Sequence, residues 1–327
     1  MKAAFIRRTG PPDVIEVGEL PVPPLSADEV LVRLHAAAVD PVDAYIRQGL
    51  VAMTLPLPFV IGRDLAGTVE AVGAAVRGFA AGDRVWCNNQ GIDGRQGSFA
   101  EFTAVRGDLL YRLPDPVGFE DMMALAHSGL TACLGIERMG GLAPGQVVFV
   151  NGGAGNVGRA LVQVATGLGA RVVATAGTAA GRDTCRTDGA IAALDYRSPT
   201  LADELRAAAP DGIDVYWDLS GRQDLAFALA HLRRRGRIVV MSGLGAEPVL
   251  PVGALYVHDI SIIGFAITYA TVAEMRACAE RINELAATGR LRGAIARRLP
   301  LSQAREAHRL VEDKAVRLDG KIVVIPG

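Results

Sequence analysis

The sequence predicts a mixed α/β fold in which a β-rich domain accompanies a doubly wound parallel sheet. Its 327 residues exceed the usual size of one hydrophobic core, and half of them are hydrophobic, which suits two packed domains. From Met1 to about Arg112, short β-rich runs are broken by Gly, Pro and Asp. From about Gly145, apolar strands alternate with helix-length segments, and this alternation is typical of a parallel sheet.

The β-rich region has its clearest strands at residues 29–36 and 64–72, and the turn residues around them indicate a mainly antiparallel domain. After the parallel-sheet region, the pattern predicts amphipathic helices at residues 272–288 and 302–311 and a closing strand at residues 320–325. We expect these last elements to complete the first domain.

The parallel-sheet region is expected to contain apolar strands at residues 147–151, 172–176, 213–218, 238–241 and 261–265. Helical segments are expected between these strands: one running to Leu168, one around Thr184 and one at residues 224–232.

Composition excludes several functional classes. A formal charge of −1 gives no basic face for nucleic acid or an anionic membrane. The apolar stretch at residues 260–272 is shorter than the ~20 residues that span a bilayer, and it predicts a buried strand instead. Four dispersed cysteines form no CxxC pair, which argues against a disulfide framework or a thiolate zinc site. The N-terminus lacks the pattern of a secretory signal, so we expect a cytoplasmic protein with no membrane partner.

A glycine-rich turn follows the first strand of the parallel-sheet region. The glycines are spaced as Gly153-x-Gly155-x-x-Gly158, with an apolar strand before them and a helix opening near Asn156. Glycine permits the tight turn, close approach of a pyrophosphate and close packing of helix on strand. The turn therefore predicts a dinucleotide site, although these glycines alone also suit a plain strand-to-helix connection. The cofactor-binding backbone is expected at Ala154, Gly155, Asn156 and Val157.

The end of the second strand indicates which dinucleotide binds. An NAD site usually has Asp or Glu there to bind the ribose hydroxyls, whereas this strand ends in Ala-Gly-Thr, with Gly177. Arg182 and Tyr196 lie downstream as partners for a 2′-phosphate, although an isolated arginine such as Arg182 also suits a solvated helix. The sequence therefore favours NADP(H).

Taken together, the motifs resemble the zinc-free quinone oxidoreductase (ζ-crystallin-like) branch of the medium-chain dehydrogenase/reductase superfamily. The segments that carry the resemblance, besides the glycine turn, are HAAAVDPVDAYIRQG at 35–49, FVIGRDLAGTVEAVG at 59–73, GDRVW at 82–86, GSFAEF at 97–102, SGLTA at 128–132 and SIIGF at 261–265. The resemblance implies a GroES-like catalytic domain at 1–123 and 267–327 and a Rossmann domain at 124–266. It also implies a homodimer that pairs through the strand at 261–265, at the edge of the sheet.

The same resemblance bears on metal binding. Zinc alcohol dehydrogenases of this superfamily place zinc ligands at positions that match Asp40, Arg63-Asp64 and about His127. A guanidinium has no lone pair to donate, so Arg63 is expected to exclude a catalytic zinc. Asp40 and His127 alternatively form part of a metal site, but we favour an Asp40–Arg63 ion pair or plain packing.

The resemblance also implies which residues take part in catalysis and cofactor binding. Tyr45 matches an active-site tyrosine beside nicotinamide and substrate, as a proton donor or as an aromatic wall. Asp40 stands where many relatives have Asn, and together with Arg63 it completes the candidate catalytic group. The remaining cofactor candidates are Thr131, Met241, Ser242, Gly243, Leu244, Phe265, Ala266, Ile267 and, for the adenosine phosphate, Lys321.

Without zinc, hydride transfer needs an acceptor that is already electrophilic. The resemblance therefore implies an NADPH:quinone oxidoreductase acting on a small-molecule quinone. A reductase of activated C=C bonds in enones, enals or enoyl thioesters is the alternative, because the same site stabilises an enolate. From another class, a non-catalytic NADPH-binding sensor or structural protein also fits the dinucleotide turn.

Overall fold

Alternating apolar residues build the strands of the N-terminal region. In the long third strand Val30, Val32 and Leu34 point into one core while the residues between them are more exposed. The structure is a computed structural model that describes residues 1–313, 315–316 and 318–327. The N-terminal elements are β1 Lys2–Ile6, β2 Glu16–Glu19, β3 Glu29–Val39, α1 Pro41–Gln48, β4 Phe59–Val60, β5 Asp64–Val72, β6 Arg84–Cys87, β7 Phe102–Arg106, β8 Tyr111–Arg112 and α2 Phe119–Arg138.

Strands and helices then alternate, as the apolar runs predicted. The elements are β9 Val147–Asn151, α3 Asn156–Gly167, β10 Arg171–Thr175, α4 Ala179–Thr187, β11 Ala192–Leu194, α5 Leu201–Ala208, β12 Ile213–Asp218, α6 Leu225–His231, β13 Leu232–Val240, α7 Val252–Val257 and β14 Ser261–Gly264. The chain closes with α8 Val272–Ala287, β15 Ile295–Pro300, α9 Ala304–Glu312 and β16 Lys321–Ile325.

The described residues form two units. Met1–His127 and Thr271–Gly327 make up the β-rich unit, and Ser128–Ala270 make up the parallel-sheet unit. The boundaries between the two units lie between residues 127 and 128 and between residues 270 and 271. The sequence analysis placed these changes between 123 and 124 and between 266 and 267.

The β-rich unit contains two sheets. Strands β2, β1 and β4 form the smaller sheet in that order. The larger sheet runs β15-β16-β3-β5-β6-β8, with β7 paired to β3, and its pairs are antiparallel except for β15 with β16. The register places Ile322 of β16 opposite Val39 of β3, so the C-terminal strand lies beside the segment that opens α1.

The parallel-sheet unit has six strands in the order β11-β10-β9-β12-β13-β14, all pairing in parallel. This order, with the first strand of the unit next to the fourth, is that of a dinucleotide-binding doubly wound sheet. The mixed α/β fold with a β-rich unit and a parallel-sheet unit is therefore confirmed.

The stretch at 260–272 differs from its expected form as a buried strand. Within this stretch the strand covers only Ser261–Gly264, and Ser261, Ile262 and Gly264 are exposed. The strand is at the edge of the sheet, and among the described residues it pairs with β13 alone, so its other side has no strand partner there. Within the described part of the chain, no helix is long and apolar enough to cross a membrane.

Candidate active site and cofactor turn

A tight turn joins β9 to α3. Gly152 adopts a φ of +97°, a conformation that favours glycine, and Gly155 is the N-cap residue of α3. The first N–H groups of a helix have no partner within it, and the helix dipole favours negative charge at that end. The backbone of residues 154–157 is therefore suited to bind an anionic group such as a pyrophosphate.

The glycines of the turn are required for different reasons. A Cβ on Gly158 would lie 2.2 Å from the carbonyl oxygen of Gly152 and 2.8 Å from Cα of Gly153, so helix and turn pack too closely for a side chain. A Cβ on Gly155 would meet only the Gly152 oxygen, at 3.5 Å. Gly158 is thus required for packing, whereas Gly155 leaves the turn accessible to a ligand.

Thr175, at the end of β10, anchors the turn. Its Oγ1 accepts a hydrogen bond from the Gly152 N–H at 3.0 Å and donates to Asn151 Oδ1 at 2.9 Å. Its carbonyl oxygen accepts from the Gly153 N–H at 2.8 Å. Sequence analysis missed Thr175, and its position as the last residue of the second strand was the available clue.

Two arginines share a carboxylate near the end of β10. Arg182 Nη1 donates to Asp195 Oδ2 at 3.0 Å, and Arg197 Nε donates to Asp195 Oδ1 at 3.2 Å. Arg197 also donates to the carbonyl oxygen of Gly177. Backbone and side-chain hydrogen bonds from Arg197, strengthened by charge, lower the pKa of Asp195. These two guanidinium groups and the Asp195 carboxylate lie together at this strand end, and the charge of Arg182 also acts on Glu204.

This cluster amends the sequence analysis, which counted no carboxylate near the ribose position. Asp195 lies in the segment after β11 and is held near the end of β10 by Arg182 and Arg197. Tyr196 is 53% exposed, and its phenol oxygen and two ring carbons lie 2.7–2.9 Å from where a Cβ on Gly177 would be. Arg182, Gly177 and Tyr196 are therefore brought together as expected, and Arg197 joins them.

The carboxyl ends of β13 and β14 carry the other predicted cofactor segments. Residues 241–244 follow β13 and residues 265–267 follow β14, and parallel strands present their carboxyl ends at one edge of a sheet. Trp217 Nε1 donates to Met241 Sδ at 3.3 Å, and its ring packs edge-on against Phe265 with centroids 6.4 Å apart. Ala266 and Ile267 follow directly, and Ile267 is buried.

The residues at this edge fit the dinucleotide expected from the sequence. Ser242 Oγ is buried and has no hydrogen-bond partner among the described residues, so it is available to a ligand group. Gly243 has a φ of +90°, and Leu244 is 74% exposed. Thr131 is buried in α2.

Helix α1 positions two of the candidate catalytic residues. Asp40 precedes its first turn, and the Asp40 N–H donates to Asp43 Oδ2 at 2.8 Å, which fixes the start of the helix. Tyr45 lies within the helix and is 40% exposed. Asp40, in contrast, is fully buried.

Asp40 lies in a buried charged cluster within the β-rich unit. The Lys321 ammonium contacts Asp40 Oδ1, and His127 Nδ1 is 3.7 Å from Asp40 Oδ2. Sequence analysis favoured Arg63 as the cation beside Asp40 and assigned Lys321 to the adenosine phosphate. The assignment of Lys321 to the adenosine phosphate is corrected, because Lys321 is buried and its ammonium is engaged by Asp40. The expected pairing or packing of Arg63 with Asp40 stays a prediction.

Asp64 and Arg63 complete this cluster. The side-chain amide of Asn88 donates to Asp64 Oδ1, and its nitrogen lies 3.2 Å from His127 Nδ1. Arg63 is buried and donates to Asn89 Oδ1. Its positive charge favours the ionised forms of Asp43 and Asp64.

Burial dominates the protonation of the cluster. It lowers the pKa of His127 to about 4, so this imidazole is neutral at neutral pH. It raises the pKa of both Asp64 and Asp43. It also lowers the pKa of Lys321 to about 7, while the Asp40 carboxylate acts in the opposite direction by favouring the ammonium.

A zinc ion does not fit the cluster as it is built. Zinc needs free lone pairs from several ligands, but the Lys321 ammonium already contacts Asp40 Oδ1. Asn88 bonds to Asp64 Oδ1 and faces His127 Nδ1. Two buried cations, Lys321 and Arg63, already balance the carboxylates, and they would repel a third.

Two protein families match consecutive parts of the chain. Residues 26–115 match the alcohol dehydrogenase GroES-like domain, and residues 156–284 match the zinc-binding dehydrogenase family. A quinone oxidoreductase from Sus scrofa is 31% identical over 310 residues, which cover 94% of this chain and 93% of that protein. A 2-methylene-furan-3-one reductase from Solanum lycopersicum is 34% identical over 255 residues, covering 76% of this chain and 64% of that protein.

Solved structures have the same architecture. An NAD-dependent alcohol dehydrogenase superimposes with a TM-score of 0.90 at 31% identity, with 100% of each chain covered. The Escherichia coli quinone oxidoreductase complexed with NADPH superimposes with a TM-score of 0.87 at 26% identity, also with 100% of each chain covered. The chain therefore belongs to the quinone oxidoreductase branch of the medium-chain dehydrogenase/reductase superfamily and is an oxidoreductase.

Proposed function

We propose that this oxidoreductase uses NADPH to reduce quinones and that it does so without zinc. The observation that carries the proposal is the carboxyl edge of the parallel sheet, where the glycine turn follows β9 and Arg182 and Arg197 flank the end of β10. The name of the pig relative and the NADPH bound to the Escherichia coli structure support the same reaction.

The choice of NADPH depends on the arginine pair. Arg182 and Arg197 both bind the carboxylate of Asp195, and their remaining N–H groups are the proposed donors to a 2′-phosphate. Guanidinium groups suit phosphate because they donate two parallel hydrogen bonds. The exposed phenol of Tyr196 lies beside them as a further donor. NADH is the alternative cofactor. The solved structure named NAD-dependent alcohol dehydrogenase is 31% identical to this chain, which equals the identity of the Sus scrofa quinone oxidoreductase.

In the proposed reaction NADPH transfers a hydride to the quinone, which gives a hydroquinone anion and NADP⁺. One proton then converts the anion to the hydroquinone. Tyr45 is the proposed donor of a hydrogen bond or proton to the developing oxygen charge, because its phenol is on an exposed part of α1. Asp40 and Arg63 are buried, so we assign them to positioning α1 and its neighbours rather than to substrate contact.

The cations in the charged cluster support the proposed independence from zinc. Lys321 and Arg63 supply positive charge where a metal ion would have to bind. An acceptor that is already electrophilic needs no metal to polarise its carbonyl group, and quinones meet this condition.

A conjugated alkene is the second candidate acceptor. The tomato relative is named 2-methylene-furan-3-one reductase, and an Arabidopsis thaliana relative is named NADPH-dependent alkenal/one oxidoreductase. Hydride addition to such a compound gives an enolate, which the same hydrogen-bond donor stabilises. This alternative changes the acceptor and leaves the cofactor site unchanged.

A homodimer is proposed from the uncovered edge of the parallel sheet. β14 pairs only with β13, and Ile262 is exposed on it. Pairing of two such edges across a two-fold axis would bury this apolar side chain. The cytoplasmic location and the lack of a membrane partner stay predictions from the sequence.

A panel of acceptors tests the proposed function. Steady-state oxidation of NADPH and NADH is measured with 1,4-naphthoquinone, an enone and an enal. We expect the highest kcat/KM for NADPH with the quinone. A higher value with the enone or enal selects the alternative reaction. Tight NADPH binding without turnover of any of these acceptors would contradict both proposed reactions.

A further inference from the structure

Three metal-ligating side chains converge in the β-rich unit. The ligand atoms of Asp40, Asp64 and His127 all lie within 4.8 Å of one another. Two carboxylates and one neutral imidazole are a suitable set for a divalent transition metal, which binds such ligands at about 2.0–2.2 Å. Since Asp40 Oδ2 and His127 Nδ1 are already 3.7 Å apart, only a small contraction would bring them around one ion.

Two buried oxygens of the cluster lack a partner. Asp40 Oδ2 and Asp64 Oδ2 have no hydrogen bond to any described residue, and both side chains are fully buried. Buried carboxylate oxygens normally have a hydrogen bond or a cation, because leaving them unsatisfied is costly. These two oxygens are therefore the atoms to which a cation would bind if the Lys321 ammonium were absent from the cluster.

The pairing of β16 with β3 places the Lys321 ammonium beside Asp40. Because Ile322 lies opposite Val39 in the sheet, Lys321 is carried next to Asp40, where β3 leads into α1. The Lys321 N–H donates to the Ala294 carbonyl at 2.7 Å, which holds the start of β16 in register. The ammonium is therefore held against Asp40 Oδ1 by the sheet itself.

We propose that Lys321 substitutes for a metal ion: its ammonium closes a divalent-cation site formed by Asp40, Asp64 and His127, and removing it opens that site. The inference rests on the zinc independence in the proposed function and identifies the residue responsible. A single ammonium neutralises one carboxylate, whereas a divalent ion engages several ligands at once. Asn88 adds a fourth ligand when its amide rotates, because its unpartnered Oδ1 then replaces the nitrogen.

Metal titration of the full chain tests this proposal. The probes are Co²⁺, followed by its visible absorption, and Zn²⁺, followed by metal content after gel filtration. The variants are Lys321→Ala, which makes room, and Lys321→Met, which removes the charge but keeps most of the volume. Lys321→Arg keeps the charge and serves as the matched control. His127→Ala combined with Lys321→Ala removes one ligand from the opened site.

We expect Lys321→Ala to bind one Co²⁺ at least tenfold more tightly than the parent chain and Lys321→Arg, with the gain lost in the double variant. If a charge-removing variant is unfolded without metal, we expect Zn²⁺ to restore its folded circular dichroism spectrum. The proposal is overturned if neither Lys321→Ala nor Lys321→Met gains metal affinity or metal-dependent folding. It is also overturned if the parent chain binds one ion in a His127-dependent manner. These readouts use neither NADPH nor acceptor, so their failure leaves the proposed reaction to be tested separately.

Discussion

A Cβ placed on Gly158 would lie 2.2 Å from the carbonyl oxygen of Gly152, a separation that real side chains do not show. The first turn of α3 therefore packs directly on the backbone that leaves β9. This contact sets the path of residues 154–157, which carry the proposed pyrophosphate site.

The two glycines of the turn predict contrasting variants. Gly158→Ala must displace the Gly152 backbone, so we expect lower thermal stability together with weaker NADPH binding. Gly155→Ala places its Cβ at an ordinary 3.5 Å from the Gly152 oxygen, so we expect a nearly unchanged Tm but weaker NADPH binding. Thermal unfolding and fluorescence titration of the same samples measure both effects. Equal affinity for NADPH in parent and Gly155→Ala would argue against pyrophosphate binding at this turn.

The arginine pair predicts selectivity between the nicotinamide cofactors. Arg182→Ala with Arg197→Ala removes two guanidinium donors from the end of β10. A hydrogen bond to a charged group is worth about 1.5–3 kcal/mol. The double variant should therefore lose at least about tenfold in affinity for NADPH while NADH binding changes little.

Arg197→Lys is the matched control, because it keeps the charge and loses the two-pronged donor geometry. It should lie between the parent and the double variant. An equal loss of NADPH and NADH affinity would show that the arginines maintain the local fold and do not select the 2′-phosphate.

Tyr45→Phe tests the proposed donor to the substrate oxygen. The ring is 40% exposed, so loss of the hydroxyl should leave stability within about 0.5 kcal/mol of the parent. General acid catalysis contributes about 10²–10⁴-fold to rates, so we expect kcat with 1,4-naphthoquinone to fall by at least tenfold. NADPH affinity serves as the control. Full turnover in Tyr45→Phe would reduce Tyr45 to an aromatic wall.

His308 predicts a pH-dependent stability. Burial, and next the positive charge of Arg47, lower the pKa of His308 to about 3 from an ordinary 6.5. Because the unfolded chain binds the proton more readily, the stabilisation is fully present above pH 6.5 and is lost as the pH falls towards 3. Between pH 6 and 4 its contribution should decline by about 1.4 kcal/mol per pH unit.

Urea unfolding of the parent chain and His308→Leu across this range isolates the effect. Asp43 and Asp64 have raised pKa values, so their contributions run in the opposite direction, and subtraction of the two curves removes them. A pH-independent difference between parent and variant would contradict the assignment.

Local patterns explain why so much of the fold was predictable. β9 and β12 have the bounds expected from their apolar runs, because Gly, Asn and Asp residues end those runs sharply. In contrast, β11 has three residues, which are too few to show a period. α7 was also missed because its six residues, VGALYV, are apolar throughout and too few to show a helical period.

The candidate site was predictable only where its parts are close in sequence. The glycine turn lies within one strand–helix unit, and its residue spacing reveals it. Asp40 and Lys321 are 281 residues apart, so only the pairing of β16 with β3 brings them together. Asp195 and Arg197 follow β11, so the rule that places an acidic residue at the end of the second strand, β10, does not identify them.

Single-turnover oxidation of enzyme-bound NADPH by 1,4-naphthoquinone tests the central claim most directly. The chain is first dialysed against a chelator and its zinc content measured, and the reaction is then followed by stopped-flow absorbance. We predict rapid, stoichiometric oxidation of bound NADPH by the zinc-free protein. The account would be contradicted if the zinc-free protein binds NADPH but the quinone oxidises the bound NADPH no faster than it oxidises free NADPH in solution, and if Zn²⁺ restores activity.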